Sequence, residues 1–397
     1  MDLSTRYMGL RLKNPLVASA SPHNGNLDHI ARLEEAGVAA IVLPSLFEEQ
    51  IDAELRRHET LIAAGLDSSP EAHNYFPDAD EPGPQEYLAL VERAVAAVGV
   101  PIIGSLNGTT DEGWIGYAKL IEEAGASGLE LNVYFIPTDL SLSGREVEQR
   151  YVDILHQIRQ AVKIPIAIKI GPYFSSMGQV AMEFVAAGAD ALVLFNRFYQ
   201  PDIDLTQLRL HNDLQLSRAS EIRLPLLWIS VLAGRIDASL AASTGVEDAD
   251  QVIKYLLAGA DVVMTTSALL RNGPHYVATL LAGTKEWLKA RDLESVDQIR
   301  GLLSQRRFNN PDSFGRANYM RILQGYEPLA TGKSQRSGTQ RAGPERKEGN
   351  ARRVVYSLLH RCLLPGGWDR HAAASRAVWH RRRLSARPNL LRAADGE

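Results

Sequence analysis

Two short runs of small and hydroxylated residues, Ser243-Thr244-Gly245 and Thr265-Thr266-Ser267, each end an apolar segment, and a helix-length interval separates them. Small residues let backbone N–H groups come close to an anion, and a helix N-terminus that follows adds positive potential, so such ends suit a phosphate. Close packing of helices at strand ends asks for the same residues, and neither run is specific alone. Upstream, "IPIAIKIGPYF" sets one amine, Lys169, in an otherwise apolar strand, where it is costly unless paired with an anion. The plainer alternative is a lysine that reaches past the strand end to water. Asn107, Asn132 and Asn196 follow other apolar segments. Each offers donor and acceptor together, as a planar heterocycle or a turn would require. His23, His73 and His211 show no ligand spacing, so no metal is expected.

Eight elements must position these residues. The segments Leu16 to Ser19, Ala39 to Leu43, Ile102 to Leu106, Gly128 to Asn132, Ile166 to Ile170, Ala191 to Phe195, Ser239 to Ala242 and Val262 to Thr265 are apolar without polar alternation. That pattern reads as buried parallel strands. Four are preceded by a residue pair and a glycine (Gly37, Gly125, Gly188, Gly259), which ends a helix in the left-handed conformation. The repeat predicts an α/β chain folded as a (β/α)8 TIM barrel, with an open doubly wound sheet as the rival. Polar groups then gather at the carboxyl ends of the strands: Ser19 and Ser21 around Ala20, Ser45 after the second, Ser105 and Asn107 at the third. The interval from Glu48 to Pro101, containing "HNYFPDADEPGP", is too long for a simple βα unit and reads as an insertion over the active-site face.

Of the 397 residues 45% are hydrophobic and 23% charged, ordinary for a globular protein with a large core. Leu224 to Gly234, the longest nearly unbroken apolar run, is too short to span a bilayer, and no basic-then-apolar leader opens the chain. A cytoplasmic protein without a membrane partner is expected. Cys362 stands alone, which excludes a disulfide framework. From Thr331 onward fifteen Lys and Arg face five Asp and Glu, a net of +10, so the total of −4 leaves −14 for the body. The expected organisation is a barrel domain over 1–326 and a basic, low-complexity, disordered tail over 327–397. A basic tail can touch nucleic acid, but a solvated extension is the simpler reading.

In order and spacing, "NPLVASASPHN", "HNYFP", "PIIGSLNG", "ELNVYF", "AIKIGPYF", "LFN" and "ASTGVEDADQVIKYLLAGADVVMTTSALLRNGP" resemble the FMN-dependent dihydroorotate dehydrogenases over about residues 1–325, nearest to the class without membrane-anchoring helices. The resemblance implies an FMN flavoprotein of pyrimidine biosynthesis that oxidises dihydroorotate or a related dihydropyrimidine, passing a hydride from C6 to flavin N5. It implies that Ser243, Thr244, Gly245, Thr265, Thr266 and Ser267 hold the FMN phosphate, with Ser217 near it. Ala18, Ser19, Ala20 and Ser21 would lie beside the ring, and Ser45, Ser105 and Asn107 would complete the cofactor site. Lys169 would stand at the N1/O2 edge of the flavin, and Asn74, Asn132 and Asn196 would hold the pyrimidine. A homodimer and an electron-transfer partner are compatible with it.

Three positions depart from the family. Its catalytic Cys or Ser follows the fourth-strand asparagine by three residues, where Phe135 stands here and cannot accept a proton. Tyr134, Thr138, Ser141 and Ser143 are nearby, and Thr138 is the candidate base. Pro44-Ser45 replace a lysine after the second strand, and Arg218 stands where the family has glycine near the phosphate, able to pair with it or block it. Two other functions compete with the oxidoreductase: a non-redox phosphate-binding lyase or isomerase with Lys169 as Schiff-base amine, and an FMN-binding subunit without turnover of its own.

Overall fold

The computed structural model describes residues 1–51, 84–108, 114–197, 201–211 and 215–307, together with Met320 and Gln324. The chain divides into two units, Met1–Leu329 and Ala330–Glu397, and the described residues belong to the first. Asn74, Cys362, the expected domain boundary and most of the insertion lie outside the described residues.

Twelve described strands form in chain order: β1 (Thr5–Tyr7), β2 (Leu10–Leu12), β3 (Leu16–Ala18), β4 (Ala40–Phe47), β5 (Ile102–Gly108), β6 (Gly128–Val133), β7 (Ile166–Ile170), β8 (Ala191–Leu194), β9 (Asp202–Asp204), β10 (Arg209–His211), β11 (Ser239–Ala242) and β12 (Val262–Thr265). Eight of them close into a parallel barrel, β3-β4-β5-β6-β7-β8-β11-β12, surrounded by helices. The expected (β/α)8 fold is therefore the fold found, and the open sheet is excluded. Each of Gly37, Gly125, Gly188 and Gly259 sits at positive φ after a helix. Among the described residues no helix is long and apolar enough to cross a membrane.

Successive strand residues point to opposite faces, and this alternation sorts the barrel into two cores. Ile166, Ile168 and Ile170 of β7 pack outward with the helices, while Ala167 joins an inner cluster with Val17, Ala40, Val42, Ile103, Ala191, Val193, Ala241, Val262 and Met264. The hairpin β1–β2 contributes Tyr7, Met8 and Leu12 to the same inner cluster and so plugs the amino-terminal floor. Its two-residue turn, Met8-Gly9, has both φ positive (50° and 75°), the twist that a tight hairpin prefers.

At that floor a Gly-Ala-Asp sequence recurs. Asp190 Oδ2 accepts from the Ile166 amide and pairs with Arg159; Asp261 Oδ2 accepts from the Leu240 amide while its Oδ1 pairs with Arg300. Burial pushes the Asp261 carboxyl up, and the Leu240 amide and Arg300 act against that. Removing the carboxylate leaves a half-buried amide and a guanidinium without their acceptor. We expect Asp261→Ala to cost about 1–3 kcal/mol, read as a lower urea midpoint, with ligand binding at the opposite barrel end unchanged.

Candidate functional site

The cavity at the carboxyl ends of the strands has a volume of about 260 Å³. It runs from Ser19, Ala20 and Lys169 to Ser243, Thr244, Gly245, Thr265, Thr266 and Ser267, so the two hydroxyl-rich runs and the lone lysine share one space. Asn196 and Ser217 line it as well. A larger groove, about 780 Å³, lies on the outer helices around Arg145, Glu148, His156 and Glu183, away from the strand ends.

Strand register explains why Lys169 and the asparagines meet. Asn107, Asn132 and Lys169 are neighbours at one level across β5, β6 and β7, and Ser45, Ser105, Glu130 and Ala167 form the level beneath. Side chains paired in register on parallel strands face the same way, so this upper row and the lower one both point inward. Asn196 Nδ2 donates to Asn132 Oδ1 at 2.6 Å, joining two of the predicted substrate residues.

Lys169 does have its anion, and the sequence reading missed which one. Glu130 Oε1 lies 3.2 Å from Lys169 Nζ, which also donates to Ser19 Oγ at 3.3 Å. Glu130 is fully buried and Lys169 8% exposed. Glu130 Oε2 has no hydrogen-bond partner among the described residues. The signal was present in "ELN", where Glu130 and Asn132 are two apart and hence on one face, but a lone strand does not show what stands beside it.

Two turns build the other end. Ser243-Thr244-Gly245 carries consecutive positive φ values at Thr244 (77°) and Gly245 (72°). A Cβ on Gly245 would lie 2.8 Å from the Arg218 carbonyl oxygen and 3.0 Å from the Ile222 nitrogen, so the turn closes against backbone. Ser243 Oγ donates to the Phe195 carbonyl, and the Gly245 amide donates to Ser217 Oγ, which in turn donates to Ser267 Oγ. Thr265 Oγ1 is buried, lines the cavity and has no partner among the described residues. Arg218 is exposed and lies outside the cavity lining, its carbonyl rather than its side chain meeting the turn.

Residues not singled out in the sequence hold these turns. Tyr255, in the helix Ala249–Ala258, donates its hydroxyl to the Ser243 and Thr244 carbonyls (3.1 and 2.8 Å), and burial pushes that hydroxyl far above its ordinary value. Arg271 donates to the Leu216 and Ser217 carbonyls and pairs with Glu247. Asn24 Nδ2 donates to the Ser19 and Val42 carbonyls, fixing the loop after β3. In sequence a tyrosine in an apolar helix reads as core, and only its buried hydroxyl reveals the second task. Tyr255→Phe is expected to cost about 1–2 kcal/mol in a urea titration, and its effect on ligand binding should be larger than that of Tyr276→Phe on the outer helix.

Seven of the predicted residues that are described lie outside the cavity lining: Ala18, Ser21, Ser45, Ser105, Asn107, Asn132 and Thr138. Ser45 Oγ and Ser105 Oγ hydrogen-bond each other at 2.8 Å in the lower level, outside the cavity lining, and Asn107 is outside that lining too. Thr138 is exposed in the segment after β6 and is not brought to Lys169. Phe135 is half-buried beneath the Arg150 guanidinium, 4.3 Å from the ring centroid. Burial pushes the neighbouring Tyr151 hydroxyl up to about 12, with the Phe135 backbone and Arg150 acting against it.

Fold and site together define a (β/α)8 barrel with a cavity at its carboxyl face, lined by a buried lysine that is paired beneath with Glu130, and walled by two hydroxyl-rich turns. No family model matches the chain. A protein of Aeropyrum pernix whose name places it with the dihydroorotate dehydrogenases A (fumarate) is 26% identical, over 76% of this chain and 97% of its own length. The dihydroorotate dehydrogenase B (NAD(+)) catalytic subunit of Methanothermobacter thermautotrophicus is 25% identical over 76% of this chain and 98% of its own length. The NAD-dependent dihydropyrimidine dehydrogenase subunit PreA of Escherichia coli is 22% identical, over 76% of each. The chain is thus similar, at low identity over about three quarters of its length, to proteins named as dihydroorotate and dihydropyrimidine dehydrogenases.

Proposed function

We propose that the chain binds FMN in this cavity and is an oxidoreductase of dihydroorotate or a related dihydropyrimidine. The observation that carries the reading is one continuous cavity joining the Lys169 ammonium to the Ser243–Gly245 and Thr265–Ser267 turns. The residues fit the group. Thr265 supplies a buried hydroxyl with no partner among the described residues on the cavity wall, and the small residues Ser217, Ser243, Thr244, Gly245, Thr266 and Ser267 surround it, leaving room for a phosphate to approach the backbone. The Ser217, Ser243, Thr244 and Thr266 hydroxyls and the Gly245 amide already donate within the turns, so a bound phosphate would exchange with some of those bonds. Ala18, Ser19, Ala20 and Ser21 would lie beside the ring. When bound, FMN supplies the hydride acceptor.

The chain's own residues then have separable tasks. Lys169 places a fixed cation where negative charge develops, an effect strongest in a dry, preorganised site. Asn132 and Asn196, already hydrogen-bonded together, offer paired donors and acceptors to a planar ring, with Asn74 assigned by resemblance. Phe135 cannot take the substrate proton and Thr138 is exposed away from the cavity. Those two observations favour, as the second reading, an FMN-binding subunit without turnover of its own. A Schiff-base lyase is disfavoured because the Lys169 amine is engaged by Glu130 and Ser19; attack on a carbonyl would first require breaking that pair. Electron acceptors differ among the relatives' names, fumarate for one and NAD(+) for others; a homodimer and an electron-transfer partner belong to the same proposal.

An absorption spectrum of the purified protein tests this directly. We expect a flavin spectrum near one FMN per chain and anaerobic bleaching on addition of dihydroorotate. Full occupancy without bleaching by dihydroorotate or dihydropyrimidines would leave the second reading, and failure to bind FMN would reject both.

A further inference from the structure

Glu130 has no role in the proposed chemistry, yet among the described residues it is the most completely buried charge. It is fully buried, its Oε1 is 3.2 Å from Lys169 Nζ, and its Oε2 has no partner among the described residues. Among the described residues, then, the only charge-bearing partner of Glu130 is Lys169. Ser105 and Ala167 stand beside Glu130 in register, and the plug residue Tyr7 has a hydroxyl that is likewise buried and without a partner among the described residues. Burial, and next the Glu130 charge, push the Tyr7 hydroxyl well above its ordinary value.

The register fixes the order of these charges. Lys169 stands level with Asn107 and Asn132 and lines the cavity, and Glu130 stands one level below, toward the plug and outside the lining. A group in the cavity therefore meets the ammonium first and the carboxylate behind it. We infer that Glu130 is a positioning residue that holds the Lys169 ammonium at the cavity floor and offsets part of its charge, so that the pair sets how strongly the site favours the reduced over the oxidised flavin. The inference rests on the FMN reading. Its physical content is a comparison of distances: at equal dielectric, the nearer cation contributes more than the farther anion, but a paired lysine contributes less than a lone one. The two residues thus pull in opposite directions, which no purely structural role would produce.

The experiment is a reduction-potential titration of the FMN-loaded full chain against a reference dye, with FMN stoichiometry measured first. In Glu130→Gln the preference for reduced over oxidised FMN should rise about tenfold, a positive shift of about 30 mV for a two-electron couple. In Lys169→Met, which leaves the carboxylate behind, it should fall by at least as much. The double variant, with neither charge, should fall between Lys169→Met and the wild type. Glu130→Asp, which keeps the charge on a shorter arm, should lie between Glu130→Gln and the wild type and serves if the glutamine variant does not fold. Equal potentials in wild type and Glu130→Gln, or shifts of the same sign in both single variants, overturn the inference while leaving FMN binding intact. Absence of bound FMN in the wild type overturns the functional reading itself and this inference with it.

Discussion

Gly245→Ala is expected to weaken FMN binding by about a hundredfold or more while the barrel still folds. Two costs combine at this position. An L-residue at φ of 72° costs roughly 1–2 kcal/mol relative to glycine, and the added carbon would sit 2.8 Å from the Arg218 carbonyl and 3.0 Å from the Ile222 nitrogen. Those neighbours are backbone and cannot rotate away, so the segment Arg218–Ile222 must shift, at about 1–3 kcal/mol by analogy with overpacked cores. Because the Gly245 amide bonds Ser217 Oγ and Ser217 bonds Ser267, the shift is passed to both turns. FMN fluorescence, quenched on binding and recovered on release, gives the dissociation constant. Gly116→Ala is the matched control: its Cβ would meet nothing within 4 Å and it lies within the helix Trp114–Glu123. It should stabilise slightly, by about 0.5–1 kcal/mol. An equal effect of both substitutions on FMN affinity would show that the Ser243–Gly245 turn does not hold the cofactor.

Lys169→Met should be among the most destabilising single substitutions in the barrel, at about 3–5 kcal/mol, because it strands a fully buried carboxylate whose second oxygen is already without a partner. Adding Glu130→Gln should recover most of that loss, since two neutral side chains of similar size then fill the same interior. Urea titrations of the two single variants and the double variant form a thermodynamic cycle. Additive losses would mean that the 3.2 Å pair contributes nothing as a pair. For a lysine that merely reaches out to water, Lys169→Met would instead be nearly neutral. In flavin-loaded protein, Lys169→Met should slow reduction by substrate more than it weakens FMN binding, because the charge matters most as the ring becomes anionic; stopped-flow absorbance separates the two.

The barrel was legible because its strands are short apolar runs and its helices stop at glycines, both local signals. The strand limits show where local signals ended. The second strand reads as Ala39 to Leu43 but runs to Phe47, past Pro44. Proline cannot donate to a ladder, the pairing shifts between Val42 and Ser45, and the Ser105 amide donates to the Tyr87 hydroxyl, which donates back to the Ser105 carbonyl. A partner from a distant helix is invisible in the run itself. The same limit separates Lys169, conspicuous as one amine among apolar residues, from Glu130, which brings it an anion from the adjacent strand. Tyr255 and Arg271 were hidden for a different reason: each contacts backbone carbonyls of the turns, and no side-chain pattern marks a carbonyl. The antiparallel ribbon β9–β10 was also unforeseen, because its strands are only three residues long and each carries a single apolar residue, Ile203 or Leu210, between polar or charged ones.

The floor hairpin has a kinetic corollary. With Tyr7, Met8 and Leu12 stoppering the amino-terminal end, the barrel is a cul-de-sac, and whatever enters from the carboxyl face must back out the same way. Two small molecules that both need that recess cannot occupy it in passing; they must take turns. Initial-rate plots for such a pair would give parallel lines rather than intersecting ones.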